Sequence, residues 1–364
     1  MPANCDSFTV ASSVGDYEVR LGRGLLSDMA ERHPDLIVVA DDFFRDRLPV
    51  AAERVIYVPA TEDDKSLERM APLIGRMHAL GVNRGSHLLA VGGGVVQDVA
   101  TFLASIYMRG IGWTYVPSTL LAMTDSCIGG KSSINVDGLK NLVGNFYPPR
   151  EVAVDLDFLH TLDAVQIVDG LCEAAKICYA KGDFAGYLAD GPTVSSEPEA
   201  ARAVVARALH SKRWFIETDE FDRAERLLLN FGHTFGHAIE SGSNFAISHG
   251  VAVGIGTIIA TSFSLQNGLL TKAGEEATAA LTGHMVDLLA HVPGLSDKVA
   301  ALDRKAIVGR FDSDKKHRAD MYRIVVPVGD GALELRGVPR TEDGRALVAA
   351  AFAAGLDRVQ NDVR

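Results

Sequence analysis

The hydrophobic periodicity of this chain changes once, near His160, and that change limits the fold more than any single motif. Before it, short β-branched runs alternate with amphipathic stretches. Residues 35–40 and 54–58 predict buried strands. Residues 65–80 predict a helix, with Leu67, Met70, Leu73, Ile74 and Met77 on its apolar face. Residues 86–91 predict a third strand, broken by Gly92-Gly93-Gly94. A helix over 95–105 and a strand over 112–116, ending at Pro117, follow. That β-α-β-α order is the signature of a parallel, doubly wound sheet. After residue 160 the pattern predicts long helices over 163–181, 197–215, 225–241, 249–266 and 274–290. A strand over 321–326 and a helix over 341–356 close the chain. The expected architecture is α/β: a doubly wound sheet domain, residues 1–157, followed by a mainly α-helical domain, residues 158–364.

Composition excludes partners more than it names one. The 364 residues carry 36 Lys+Arg against 47 Asp+Glu, a net charge of −11. An acidic whole argues against duplex nucleic acid, which needs a basic face. It leaves room for a local basic pocket that binds a small anion. Cys5, Cys127, Cys172 and Cys178 form no C-x-x-C pair and no disulfide framework. The first ten residues have neither a basic n-region nor an apolar h-region, so no signal peptide is expected. Residues 241–271 are 31 in a row without Asp, Glu, Lys or Arg. His249, Gln266, two Asn and several Ser and Gly interrupt them, which reads as a buried core helix rather than a membrane span. The expectation is a cytoplasmic chain.

Three groups of residues carry chemistry. First, a strand, three glycines and a helix can cradle a phosphate, because glycine admits close backbone approach and the helix start offers free N–H groups. The G-x-G-x-x-G pattern is incomplete, since Gln97 stands at its last glycine. Asp41, ending the first predicted strand, suits either a ribose diol or a helix cap. Second, His233 and His237 stand at i and i+4, a spacing that can chelate zinc. Thr234 occupies the place of the zinc-protease glutamate, which argues against peptide hydrolysis. His249 opens the next apolar helix, and Glu173 sits in an apolar helical stretch with Lys176 one turn on. Glu plus two His suits zinc with an open position, whereas a simple Glu173–Lys176 ion pair is the plainer alternative. Third, Arg109, Lys131, Lys140, Lys176, Lys212, Arg226, Lys315 and Lys316 stand mostly beside glycines, asparagines or apolar runs. Converging cations of that kind suit a phosphorylated, carboxylated substrate.

Taken together, the segments resemble the 3-dehydroquinate synthases, within the sugar phosphate cyclase superfamily. The resemblance runs from about residue 35 to about residue 326. It rests on Gly92-Gly-Gly-Val-Val-Gln-Asp98, Tyr107-Met-Arg-Gly110, Val116-Pro-Ser-Thr-Leu-Leu121 with Asp125, and Gly129-Gly-Lys131. Lys140-Asn141, Cys172-Glu-Ala-Ala-Lys176, Arg226-Leu-Leu-Leu-Asn-Phe-Gly-His-Thr-Phe-Gly-His237, Ser248-His-Gly250 and Asp314-Lys-Lys316 complete it. The resemblance implies Glu173, His233 and His249 as ligands of a divalent metal, zinc first and cobalt second. It implies NAD+ at Asp41, Glu62, Lys65, Gly93, Gly94, Asp98, Ser118, Thr119 and Lys140. Substrate then meets Arg109, Lys131, Asn141, Lys212, Arg226, and one of Lys315 and Lys316 near its phosphate. His237, Lys176, Asp125 and Asn230 are the implied catalytic set. The first domain becomes the NAD-binding one and the second the metal- and substrate-binding one.

The reaction so implied converts 3-deoxy-D-arabino-heptulosonate 7-phosphate to 3-dehydroquinate and phosphate. A hydroxyl is oxidised transiently by NAD+, phosphate is eliminated, the ketone is reduced again, and an intramolecular aldol step closes the carbocycle. Lys212 and Arg226 match the cations that bind the carboxylate, which favours a carboxylated substrate. Ser132-Ser133 replaces a frequent Thr-Gly, and Phe43 replaces a frequent polar residue. These departures keep an amino analogue or a heptulose 7-phosphate in view. A metal-dependent polyol dehydrogenase is the rival enzyme class, and a degenerate ligand-binding relative the non-enzyme one. A homodimer is a family expectation only.

Overall fold

The computed structural model describes residues 5–33, 36–314 and 316–363. The chain forms two compact units. One is Met1–Leu162 with Ser196–Phe221; the other is Asp163–Ser195 with Asp222–Arg364. A single cut between residues 157 and 158 therefore differs from the fold in two respects: residues 158–162 stay with the sheet, and the chain returns to it over Ser196–Phe221. Helix Pro198–Thr218 groups with the sheet, because it packs on the strand Tyr17–Gly22 and on the turn Ala122–Ser126. No local pattern signals which unit a returning helix joins.

The first unit is built on nine strands: β1 (Asp6–Val10), β2 (Tyr17–Gly22), β3 (Ile37–Asp41), β4 (Val55–Val58), β5 (His87–Gly92), β6 (Gly112–Pro117), β7 (Lys131–Val136), β8 (Leu139–Phe146) and β9 (Glu151–Asp155). Seven of them pair in the order β1-β2-β9-β6-β5-β3-β4. Every pairing is parallel except β1 with β2. The doubly wound α/β reading holds, with an antiparallel edge added at the N-terminus. Helix α1 (Leu25–Arg32) lays Leu25, Leu26 and Met29 on Val38, Ala40, Leu89 and Val91. Val39, Leu88 and Ala90, on the opposite pleat, are also buried. Burial of both faces explains why these strands read as continuous apolar runs rather than alternating ones. Asp35, at the start of the expected first strand, lies outside the described residues; β3 begins at Ile37.

Strand β3 lies between β4 and β5, so the chain leaves β3 in one direction and β5 in the other. Crevices for ligands form at the carboxyl ends of strands at such a switch. Asp41 ends β3 and Gly92 ends β5. Helix α2 (Leu67–Ala79) follows β4, and α3 (Gly94–Ile106) starts two residues after Gly92. Strands β7 and β8 form a separate hairpin. Its turn places Asp137 at φ 50° and Gly138 at φ 75°. Two consecutive positive φ values are the I′ geometry that matches strand twist.

The second unit surrounds one apolar helix. Its elements are α4 (Ala164–Lys181), α5 (Phe184–Ala189), then, after the helix Pro198–Thr218 (α6), α7 (His233–Gly242), α8 (His249–Gln266), α9 (Lys272–Leu289), α10 (Leu295–Ala300), α11 (Arg304–Asp312) and α12 (Glu342–Asp362). Strands β10 (Met321–Val328) and β11 (Ala332–Pro339) pair antiparallel. Helix α8 packs against α4, α7, α9, α12 and β10. Such all-round burial accounts for the uncharged stretch 241–271. No helix among the described residues is long and apolar enough to cross a membrane. The single helix expected over 225–241 is two pieces, a 3₁₀ segment Glu225–Asn230 and α7. Gly232 breaks it: φ is +75°, and a Cβ there would lie 2.6 Å from Thr257 Oγ1.

Candidate active site

In the first unit the candidate cofactor residues gather at the switch point. Gly93 caps α3 without a side-chain bond, and a Cβ on it would lie 3.1 Å from Thr119 Cγ2. Space beside Gly94 is open. Ser118 is buried, and its N–H donates to Gly92 O at 2.9 Å. Asp41 Oδ1 accepts from Phe43 N at 2.9 Å, so it is a cap as well as a strand end. Burial raises its pKa, and the Phe43 N–H opposes the shift.

Beside α3 a charged knot forms. Lys65 is 5% exposed, 3.0 Å from Asp98 Oδ2 and 3.4 Å from Glu62 Oε1. It also donates to Asn141 Oδ1 at 3.0 Å. Burial works against the Lys65 ammonium, but Asp98 and Glu62 outweigh it and hold its pKa above the ordinary lysine value. Burial pushes the Asp98 carboxyl up to about 6, against the opposing Lys65 charge and the Ser133 N–H. Lys140 Nζ stands 3.7 Å from Glu62 Oε2. Asn135 stitches this knot: its Nδ2 donates to Glu62 O at 2.9 Å, and its Oδ1 accepts from Asn141 N at 2.8 Å. Asn135 is not among the site candidates that the sequence offers, although the Asp137-Gly138 turn after it signals the hairpin.

Other first-unit candidates stand apart from that knot. Asp125 lies on a π-helical turn, Ala122–Ser126, a distortion frequent at functional positions. Lys212 is 6% exposed, 2.9 Å from Asp125 Oδ1, and also donates to Asp125 O. Lys131 Nζ lies 6.0 Å from the centre of the Phe146 ring. Arg109 is exposed, at φ 70°.

The second unit brings the candidate metal ligands together. Glu173, on α4, is fully buried. Lys176 Nζ lies 2.5 Å from its Oε2. That contact is an ion pair without hydrogen-bond geometry, and neither carboxylate oxygen has a hydrogen bond among the described residues. Glu173 Oε1 faces His233 Nε2 at 3.5 Å and His249 Nε2 at 3.6 Å. Ligands bound tetrahedrally at about 2.0–2.1 Å stand about 3.4 Å apart. The two edges that run from Glu173 Oε1 therefore already have about the length found in a zinc site. The outer hydrogen bonds of the two histidines agree. His233 Nδ1 lies 3.3 Å from Phe231 O, and His249 Nδ1 lies 3.1 Å from Glu240 Oε2. A carbonyl or carboxylate only accepts, so each Nδ1–H donates, which makes Nε2, the nitrogen facing Glu173, the ligating atom of the neutral ring.

Close backbone packing makes that meeting possible. A Cβ on Gly250 would lie 2.3 Å from Asp169 O, and one on Gly256 2.1 Å from Gly232 O. These contacts seat α8 on α4 and on the start of α7. Asp169 Oδ1 accepts from Ser248 Oγ at 2.7 Å and from Val251 N at 2.8 Å. It fastens the start of α8 to α4, one turn before Glu173. Burial, then Lys176, holds the His233 pKa well below the ordinary histidine value. Burial also opposes protonation of His249, but Glu240 and Glu173 outweigh it and raise its pKa.

His237 contributes a third imidazole; the ligand atoms of His233, His237 and His249 lie within 4.8 Å of one another. It is the most open of the three, at 40% side-chain exposure, with Nδ1 3.9 Å from Asp314 Oδ2. Burial lowers the His237 pKa, with Asp314 opposing. Burial would raise the Asp314 carboxyl, yet His237 and Lys316 bring it down to about 2. Arg226 is 3% exposed, and Asn230 Nδ2 donates to Leu227 O at 3.0 Å. Lys315 lies outside the described residues. Glu240 and Asp169 escaped the sequence reading. Glu240 had a signal: with His233 and His237 it forms an i, i+4, i+7 face.

Comparison with known proteins follows this geometry. The N-terminal family model of 3-dehydroquinate synthase matches residues 55–169, and the C-terminal one residues 170–317. The chain belongs to the 3-dehydroquinate synthase family. A 3-dehydroquinate synthase of Caulobacter vibrioides is 39% identical over 350 residues, 89% of this chain and 93% of that protein. One from Saccharolobus solfataricus is 32% identical over 339 residues, with the same coverage of each chain. Among solved structures, 2-epi-5-epi-valiolone synthase from Streptomyces hygroscopicus, with NAD+ and Zn2+ bound, superposes with TM-score 0.74. It is 25% identical, covering 96% of this chain and 99% of that one. A 2-deoxy-scyllo-inosose synthase complexed with carbaglucose-6-phosphate, NAD+ and Co2+ shares the fold, with TM-score 0.78 at 24% identity. The match covers 94% of this chain and 99% of that one. The chain is an enzyme of the 3-dehydroquinate synthase type, within the sugar phosphate cyclases.

Proposed function

We propose that the enzyme converts 3-deoxy-D-arabino-heptulosonate 7-phosphate to 3-dehydroquinate and phosphate, using NAD+ and a divalent metal, zinc before cobalt. The carrying observation is the unbonded, fully buried Glu173 carboxylate at 3.5 and 3.6 Å from two imidazole Nε2 atoms. A buried carboxylate without hydrogen bonds is costly unless a cation completes it. Lys176 supplies one charge, and the donor set of one carboxylate and two imidazoles suits a divalent ion with an open position. Family membership and the NAD+ and Zn2+ of the valiolone synthase relative support the cofactors.

When bound, NAD+ would accept and return a hydride, and the metal would act as a Lewis acid on the hydroxyl being oxidised. The chain's own residues do the rest. Glu173, His233 and His249 hold the metal. Gly93, Gly94, Ser118 and Thr119 offer backbone and hydroxyls to a pyrophosphate, and Asp41, Glu62, Lys65, Asp98 and Lys140 orient the nucleotide. Lys212 and Arg226, both buried cations, bind the substrate carboxylate. Arg109 and one of Lys315 and Lys316 attract its phosphate, and Lys131 binds the substrate as well. Asn141 and Asn230 orient hydroxyls. His237, steadied by Asp314, takes and returns protons at Nε2, and Lys176 and Asp125 fix charge beside the reacting carbons. A small anionic sugar phosphate, no nucleic acid and a cytoplasmic place belong to the same reading.

Phosphate release from the heptulosonate phosphate, with NAD+ and zinc, tests it. The expected result is release that a chelator abolishes and that leaves no net NADH. Net NADH without phosphate release would assign a polyol dehydrogenase instead. Faster release from a heptulose 7-phosphate lacking the carboxylate would overturn the substrate.

A further inference from the structure

The two metal-facing histidines are not held alike. Phe231 O, a neutral backbone carbonyl, accepts from His233, whereas the Glu240 carboxylate faces His249 Nδ1 at 3.1 Å with 17% side-chain exposure. Glu240 stands in the last turn of α7 (His233–Gly242), where a negative charge opposes the helix dipole. Helix propensity therefore does not account for a carboxylate there. We infer that Glu240 is a positioning residue for the metal, holding His249 with Nε2 turned to Glu173 and lending it negative charge.

The charges of the site give the reason. A divalent ion held by Glu173 and two neutral imidazoles keeps one excess positive charge. Lys176, 2.5 Å from the same carboxylate, adds a second. Glu240 places a negative charge behind the His249 ring, on the side away from Glu173. Donation of Nδ1–H to a carboxylate makes the imidazole a more basic ligand, and loss of such an outer partner commonly lowers metal affinity about 10–100-fold. One side chain thus joins the two helices that supply His233 and His249. The inference rests on the metal reading above.

The test compares wild type, Glu240→Ala and Glu240→Gln. Zinc affinity is measured by competition with a chromophoric chelator, the His249 tautomer by nitrogen-15 NMR of the zinc-loaded protein, and stability by melting the metal-free protein. Glu240→Ala should bind zinc about 10–100-fold more weakly, with the His249 tautomers mixed. Glu240→Gln, whose amide oxygen still accepts from Nδ1, should keep the Nε2-ligating tautomer and bind with intermediate affinity. A lower metal-free melting temperature with unchanged zinc affinity would mean that Glu240 merely packs α7, and would overturn the inference. If Glu240→Ala does not fold, Glu240→Gln decides: wild-type affinity overturns the inference, weakened affinity supports it. Failure of the wild type to bind zinc would overturn the metal reading itself, a distinct result.

Discussion

Substituting Gly250 by alanine should disturb the metal site without touching a ligand. The new Cβ would lie 2.3 Å from Asp169 O, 2.5 Å from its Cα and 2.7 Å from its carbonyl carbon. All three are backbone atoms of α4, so no side-chain rotation relieves the overlap. Reaching ordinary van der Waals contact requires the start of α8 to back off by about 1 Å. His249 is the preceding residue and moves with it. Its Nε2, now 3.6 Å from Glu173 Oε1, would leave the separation of about 3.4 Å that a shared zinc ion imposes. The bonds of Asp169 to Ser248 and Val251, at 2.7 and 2.8 Å, would stretch as well. Overpacking of this kind costs about 1–3 kcal/mol. Misplacing one of three ligands should weaken zinc at least about tenfold, equivalent to about 1.4 kcal/mol. Urea unfolding of the metal-free protein reads the first quantity and chelator competition the second. Gly283→Ala is the control: its Cβ meets nothing within 4 Å, and it lies inside α9. It should leave zinc affinity unchanged and raise stability by about 0.4–1 kcal/mol. Wild-type stability and zinc affinity in Gly250→Ala would refute the packing argument.

Two other outcomes follow from the charge pattern. Lys176→Met leaves Glu173 fully buried beside no ammonium at 2.5 Å, which should destabilise the metal-free protein by about 3–5 kcal/mol; zinc should restore most of it, and an equal deficit with and without zinc would contradict the site. Burial, then the Arg150 charge, pushes the His87 imidazole down to about 4 from an ordinary 6.5. Between those values the unfolded chain takes a proton that the folded chain refuses, so stability is full above pH 6.5 and falls by up to about 3 kcal/mol toward pH 4. His87→Gln can keep the bond to Thr114, 2.8 Å in the wild type, and should flatten that acid limb in urea melts against pH; coincident limbs would contradict the assignment.

What was legible in the sequence depended on local pattern. Helix α8 occupies 249–266 as its apolar run predicted, and β5, the glycines and α3 follow in the expected order. Strands β1 and β2 were legible but not among the expected elements: Phe8 and Val10 alternate with the exposed Ser7 and Thr9, and Tyr17, Val19 and Leu21 with Glu18 and Arg20, the period-2 pattern of half-buried strands. The β7–β8 hairpin was legible in principle through Asp137-Gly138, but Lys140 and Asn141 around it read as motif rather than turn. The break at Gly232 had a local sign in the glycine itself, but the reason no larger residue fits there, Thr257 and Val253 on another helix, is tertiary. The same holds for the site. Histidine spacing announced a chelate, while Glu173 depended on the resemblance and on its apolar surroundings. Glu240 and Asp169 act across helices, and tertiary packing brings them to His249 and to the start of α8.

The most direct measurement is anomalous diffraction at the zinc absorption edge from crystals grown with zinc and NAD+. One strong peak is expected, about 2.0–2.2 Å from Glu173 Oε1 and from the Nε2 atoms of His233 and His249, with His237 outside bonding distance. A peak bound by His233, His237 and His249 without Glu173, or no peak in that cluster, would contradict the account.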